Sequence, residues 1–450
     1  MPPLATLFFS MIFIIVLIIW VRVHAFLALI AAGLLVALIS PAIPASDAAT
    51  VLATDFGVIA GRIGLVIAFA AIIGEALLRS GAAMAIVRRI SELFGEARAH
   101  ISMWTAGYVL AVPVFFDTVF YLLVPLARAM FTRTGQRYTV YVMAICAGGA
   151  ASHVFVPPTP GPLAAAATLQ VDLGLMILMG LIVAAPASLI AVSYAIWLDR
   201  RWQPASLALQ AAVDADAVAD GPGERIPPFS LSMLPIALPV VLISARTAMT
   251  AVAPDFRFAG WVHLVGDPNF ALLLSAVIAL WIWARYRSLS LREVMASNEH
   301  ALASAGVIIL ITAAGGAYGS MLSKAGAGAS LAALATDVGL PVMWLAFLLS
   351  ALLKTAQGSS TVAIITSAGV LQGVYAAGGA GLPHPVYAAL ACGGGSLVIS
   401  WMNDSGFWVV SKMGGFSERE TLATWTVVAA LAGTTGFLGA LVLSWVLPLR

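Results

Sequence analysis

Apolar positions in this chain come in uninterrupted runs of the length that a bilayer demands, about 20 residues for a spanning helix. Such runs cover 4–21, 24–40, 57–78, 138–156, 173–198, 230–251, 269–284, 301–322, 385–402 and 422–447. Two more apolar stretches, 101–130 and 341–376, are interrupted by polar tips. The first tip reads Pro113-Val114-Phe115-Phe116-Asp117-Thr118, and the second runs from Lys354 through Gln357-Gly358-Ser359-Ser360-Thr361. Arms too short to cross, joined by a polar tip, predict a re-entrant helical hairpin. Backbone can turn at that depth only where protein or a wet cavity satisfies its polar groups. Two of the spanning runs are themselves broken. In 138–170 the break follows His153 and holds Pro157, Pro158, Pro160 and Pro162, which lack the amide donor a helix needs. In 385–413 it holds Asn403-Asp404-Ser405-Gly406, whose side chains compete for backbone hydrogen bonds.

These features recur at an offset of about 245 residues: Gly74–Gly81 matches Gly319–Gly326, Cys146–Ala150 matches Cys392–Ser396, and the tips and breaks follow suit. The predicted fold is therefore an all-α polytopic membrane protein of two inverted repeats, each with five spanning helices (one discontinuous) and one re-entrant hairpin. The first repeat is 1–198, a polar cytoplasmic linker follows at 199–228 with Asp214, Asp216, Asp220 and Glu224, and the second repeat is 229–450. An odd number of crossings reverses the second half, and paired discontinuous helices in inverted halves are the architecture of secondary transporters.

Composition agrees with lipid as the solvent: 62% of the 450 residues are hydrophobic and 9% charged, against about 25% charged in soluble proteins. The net charge of +2 points to no nucleic-acid partner; the placement of charge is what informs. With both termini periplasmic, every Lys and Arg falls on the cytoplasmic side except Arg62, Arg246, Arg257, Lys324, Lys354 and Arg450, as the positive-inside bias requires. The run from Leu4 to Val21 lacks a basic leader and reads as a retained helix. Segment 82–98, with Arg88, Arg89 and Arg98, reads as an interfacial amphipathic helix. Cys146 and Cys392 sit in apolar runs and are expected as free, packed thiols.

Helix interruptions expose amide ends, which bind carboxylates, and carbonyl ends, which suit hydroxyls or cations. The tips contribute Thr118, Gln357, Ser359, Ser360 and Thr361; the breaks contribute Thr159, Asn403, Asp404 and Ser405. So many hydroxyls and amides with few fixed charges suit a small polyhydroxylated monocarboxylate. Ionisable groups inside a membrane are costly and mark function. Asp117 and Asp404 are candidates for substrate binding or proton coupling, with helix capping as the competing role. His153 is a candidate for both tasks, against a packing role. Glu75 is a candidate for coupling, against pairing with Arg79. Lys354 either attracts an anion or snorkels to the interface, and Arg62 reads as an anchor about one turn inside its helix. No Walker loop, CxxC or HExxH spacing occurs, so neither ATP drive, a metal nor a cofactor is expected. An enzyme would need convergent catalytic groups and a channel a continuous pore; paired interruptions favour a carrier.

At these motifs the chain resembles the gluconate:proton symporter family (GntP type), within the wider ion-transporter superfamily. The resemblance is carried by Pro113–Asp117 with Val124-Pro125-Leu126, by His153 with Val156-Pro157-Pro158 and Pro160-Gly161-Pro162, by Gly358–Ala363, by Asn403–Trp408, and by Thr421-Leu422 with Thr424-Trp425-Thr426. Thr159 stands where His is expected in many members. The resemblance implies proton-coupled uptake of gluconate or a related sugar acid in a bacterial inner membrane. The alternatives are sodium coupling, or a glycerate or hydroxy amino acid (D-serine-like) substrate. It further implies an elevator-type homodimer, in which scaffold helices at 4–40 and 230–284 support a moving core.

Overall fold

A computed structural model describes residues 2–202, 225–253, 259–378 and 382–449. Most of the linker, with Asp214, Asp216, Asp220 and Glu224, lies outside the described residues, as do Arg257 and Arg450. Every regular element among the described residues is helical, and eight helices are long and apolar enough to cross a membrane.

Short helical segments aside, both halves place their helices in the same order. The first runs through Pro3–Ile15, Ala25–Ile39, the long Ala48–Arg79 and the amphipathic Ala82–Phe94. It continues with the pair Ala99–Leu110 and Phe116–Thr134, the interrupted pair Tyr138–Phe155 and Pro160–Thr168, and Leu173–Asp199. The second runs through Phe229–Val252, Pro268–Arg287, Glu299–Lys324 and Ala327–Val338. Its tip-joined pair is Val342–Gln357 and Ser360–Ala377, its interrupted pair Pro385–Gly395 and Ser405–Gly414, and it closes with Val427–Val446.

The interrupted helices form the centre. Every residue of Tyr138–Phe155 except His153 is buried, as is every residue from Val386 to Gly395. Glycine makes that centre dense. A Cβ at Gly148 would lie 2.4 Å from the Trp104 carbonyl oxygen, and one at Gly395 would lie 2.2 Å from that of Phe347. In each half, then, the first arm of the tip-joined pair crosses the interrupted helix at backbone contact, a device of helix packing in lipid. Cys146 and Cys392 are buried, free thiols within these helices. Large apolar side chains such as Phe8, Leu27, Val241, Trp281 and Trp445 cover the outer surface, as expected where the surrounding medium is hydrocarbon.

Several local details depart from the sequence pattern. The long helix begins at Ala48, nine residues before the apolar run at 57–78, so Asp55 lies on it and pairs with Lys324 at 2.6 Å. Arg62 is accordingly four turns inside that helix, and its guanidinium donates to the Ala167 carbonyl at 3.2 Å. The proline break is short, because helix resumes at Pro160, whose missing amide costs nothing in a first turn. The second break is longer than its Asn-Asp-Ser-Gly signal, spanning Ser396–Asp404. The helix stops after three glycines, where the backbone entropy cost of helix is highest. Ser360–Ala377 reaches 18 residues because Ser359, accepting from the Val362 amide at 3.3 Å, caps the helix and draws the polar tip into its first turn.

Candidate functional site

The four interruptions meet. At the second tip, Gly358 adopts φ 87°, and a Cβ there would sit 2.1 Å from the Asn403 carbonyl oxygen, so only glycine lets the tip rest on the second break. The Thr355 carbonyl, left free at a helix end, accepts from Asn403 Nδ2 at 2.8 Å and Trp401 Nε1 at 3.0 Å. The Ser360 hydroxyl donates to the Ser396 carbonyl at 2.8 Å. The first tip lies beside the first break, with Pro113 and Phe115 facing Pro158 and Pro160, and reaches the second through Trp425, which donates to Ser400. The Phe115 ring lies edge-on to His153 at 6.4 Å, and Phe116 stacks on Trp425 at 5.3 Å. The first break abuts the second tip, since a Cβ at Gly161 would lie 2.8 Å from Ile364 and 3.7 Å from the Thr361 Cα.

A buried ion pair sits where they converge. The Lys354 ammonium, 1% exposed, lies 2.7 Å from Asp404 and donates to the Gly358 carbonyl at 2.5 Å. Lys354 therefore does not snorkel: its helix ends within a turn, and its amine turns in to the tip's own carbonyl. Asp404 caps a helix and also holds the ammonium. One oxygen takes the ammonium and the Ser400 hydroxyl, and the other caps the following helix by accepting from the Gly406 amide at 3.0 Å. Ser400 is in turn fixed by Trp425, whose indole donates to its oxygen at 2.7 Å, and by Thr426, which donates to its carbonyl. Those two residues lie in a π-helical turn, Leu422–Thr426, a distortion common at functional sites. Asp117, in the first turn of its helix where an acid complements the dipole, lies within electrostatic range of both Asp404 and Lys354. His153 lies within range of Lys354.

Around this pair several buried polar atoms have no protein partner: His153 Nδ1, Gln357 Nε2, Asn403 Oδ1 and Ser152 Oγ. Buried polar groups are ordinarily satisfied, so a cluster of free donors and acceptors beside a buried charge pair is suited to a polar ligand. Other predicted site residues are placed differently. Thr159 spends its hydroxyl on the Val156 carbonyl at 2.6 Å, Ser359 serves as a cap, and Ser405 is exposed. Thr118 and Thr361 lie half-buried beside Asp117 and Ser360. Glu75 points to Arg79, 2.8 Å away. No metal-binding cluster of His, Cys, Asp or Glu occurs among the described residues. Sequence reasoning missed Ser400, which carries no motif, placed Trp425 in a resemblance motif without a role at the site, and undervalued Lys354, whose signal was a lone cation next to an interruption.

Residues 2–446 match the GntP permease family. The low-affinity gluconate transporter of Escherichia coli K12 is 32% identical, with 95% of each chain covered. The gluconate permease of Pseudomonas aeruginosa is 33% identical over 96% of each. The solved structure of the YdaH transporter of Alcanivorax borkumensis shares the fold, with a TM-score of 0.58 at 16% identity, covering 96% of this chain and 98% of that one. With apolar helices fit to cross a bilayer and a central polar site, the protein is a membrane transporter and not an enzyme, and it belongs to the GntP family of permeases.

Proposed function

We propose that this protein takes up gluconate or a closely related small sugar or hydroxy monocarboxylate across a bacterial inner membrane together with a proton, by alternating access of an elevator type. The observation that carries the reading is the convergence of four helix interruptions on one buried site holding a single ammonium and several unpartnered hydroxyl-binding groups. A cation and helix-end amides serve a carboxylate, and His153, Gln357 and Asn403 serve the hydroxyls along a sugar-acid chain. The names of the relatives support the same substrate class. Proton coupling rests on the acids within the membrane, Asp117 and Asp404, which the surrounding lipid would otherwise leave charged at high cost.

The matching order of elements in the two halves supports inverted repeats, with both termini periplasmic and the segments 101–130 and 341–376 re-entrant from opposite faces. In this reading the helices at 4–40 and 230–284 form the scaffold of a homodimer, and the rest moves. Uptake of labelled gluconate into proteoliposomes under an imposed pH gradient tests the reading. Saturable accumulation that follows the proton gradient supports it; uptake indifferent to that gradient and raised by sodium overturns proton coupling, and no uptake of any sugar acid overturns the substrate class.

A further inference from the structure

The Asp404 carboxylate is held by three kinds of donor at once: the Lys354 ammonium at 2.7 Å, the Ser400 hydroxyl, and the Gly406 amide at 3.0 Å at a helix N-terminus. An ammonium, a hydroxyl and a helix-end amide are what a carboxylate ligand requires. The Ser400 hydroxyl is set as a donor, because the Trp425 indole already donates to its oxygen and leaves its own hydrogen for the carboxylate. Asp404 is also the outer member of the pair, its side chain 11% exposed against 1% for Lys354. The charged groups acting on Lys354 are Asp404 and Asp117; Asp117 also lies within range of Asp404, and His153 within range of Lys354.

We propose that Asp404 is an internal stand-in for the substrate carboxylate: when Asp404 takes a proton it releases the cradle of Lys354, Ser400 and Gly406, and the carboxylate of the transported monoanion takes its place. This rests on the transport reading above and assigns its coupling acid. The balance is one proton and one monoanion. In the empty carrier Lys354 faces the Asp404 carboxylate; in the loaded carrier it faces the ligand carboxylate while Asp404 is neutral. The charge of the site is the same in both. Binding with Asp404 still ionised would add the ligand's carboxylate to those of Asp404 and Asp117 around one buried ammonium, which a low-dielectric site penalises. One cradle also selects a monocarboxylate over a dicarboxylate.

Calorimetric titration of the purified full chain with gluconate, in buffers of different ionisation enthalpy, counts the protons taken up per ligand. About one is expected for the wild type, with affinity falling as pH rises, by linkage. Asp404→Asn is expected to bind gluconate with no proton uptake and no pH dependence, whereas Asp117→Asn still takes up one. Adding Lys354→Met to Asp404→Asn removes both charges together and is expected to weaken gluconate about 100-fold relative to Asp404→Asn alone. If Asp404→Asn fails to fold, Ser400→Ala is expected to weaken gluconate about tenfold with the proton count still at one. Proton uptake that survives Asp404→Asn, a double variant that binds as well as the single, or unchanged affinity in Ser400→Ala overturns the exchange while leaving the transport reading intact. A wild type that binds no sugar acid overturns both.

Discussion

The contact between the second tip and the second break can be tested by one methyl group. In Gly358→Ala the new Cβ would lie 2.1 Å from the Asn403 carbonyl oxygen and 2.7 Å from its carbon. Both are backbone atoms, so no side chain can swing aside. Restoring an ordinary contact needs the tip and the break to separate by about 1 Å, set by the close packing of protein interiors. That separation stretches two bonds that cross from tip to break, Lys354–Asp404 at 2.7 Å and Asn403–Thr355 at 2.8 Å. Loss of two buried hydrogen bonds costs about 2–3 kcal/mol, and holding alanine in the left-handed region adds about 1 kcal/mol. A 1 Å misplacement of a binding group is worth about 100-fold in rate. We therefore expect Gly358→Ala to insert and fold with a lowered thermal midpoint, and to lose about 100-fold in initial gluconate uptake in proteoliposomes. Gly135 supplies the control. It also has a left-handed φ, 64°, but nothing lies within 4 Å of its Cβ position, so Gly135→Ala carries only the conformational cost and keeps its uptake rate. Equal uptake by the two variants would refute the argument that the tip must touch the break.

Three further outcomes follow from the packing. Trp425→Phe keeps the stack on Phe116 but deletes the indole donor to Ser400; the loss of about 1–2 kcal/mol is expected as a 5- to 30-fold rise in KM for gluconate uptake, and an unchanged KM refutes it. Gly148→Val places a side chain against the Trp104 carbonyl at 2.4 Å in the buried centre, so little folded protein is expected by fluorescence-detected gel filtration; wild-type yield and stability would show that the crossing tolerates bulk. Gly61→Ala lies in the long helix with open space at its Cβ position, so it is expected to raise the thermal midpoint through about 0.5–1 kcal/mol of helix propensity, and a lowered midpoint would show a contact at that surface.

The second tip and the second break show where sequence reading stops. Gln357-Gly358-Ser359 announced an interruption, because polar residues and glycine in an apolar run have few structural explanations in lipid. It could not say that Gly358 is required by the Asn403 carbonyl of a segment 45 residues on. Nor could it choose between snorkelling and anion attraction for Lys354, since a lysine next to a helix end can turn either way and its partner Asp404 is distant in sequence.

By itself the sequence determined that the chain lives in a membrane, that it is helical and where its helices are interrupted. These follow from local chemistry: the apolar length of each run, the missing amide of proline, and the competition of Asn, Asp and Ser for the backbone. Only the tertiary structure decided which polar groups share a site. It brought Lys354 to Asp404, placed Ser400 under Trp425, and sent Glu75 to Arg79 instead. Those choices depend on how closely helices cross, and that distance is set by small residues such as Gly148, Gly395 and Gly358, each meeting a segment that no local pattern identifies.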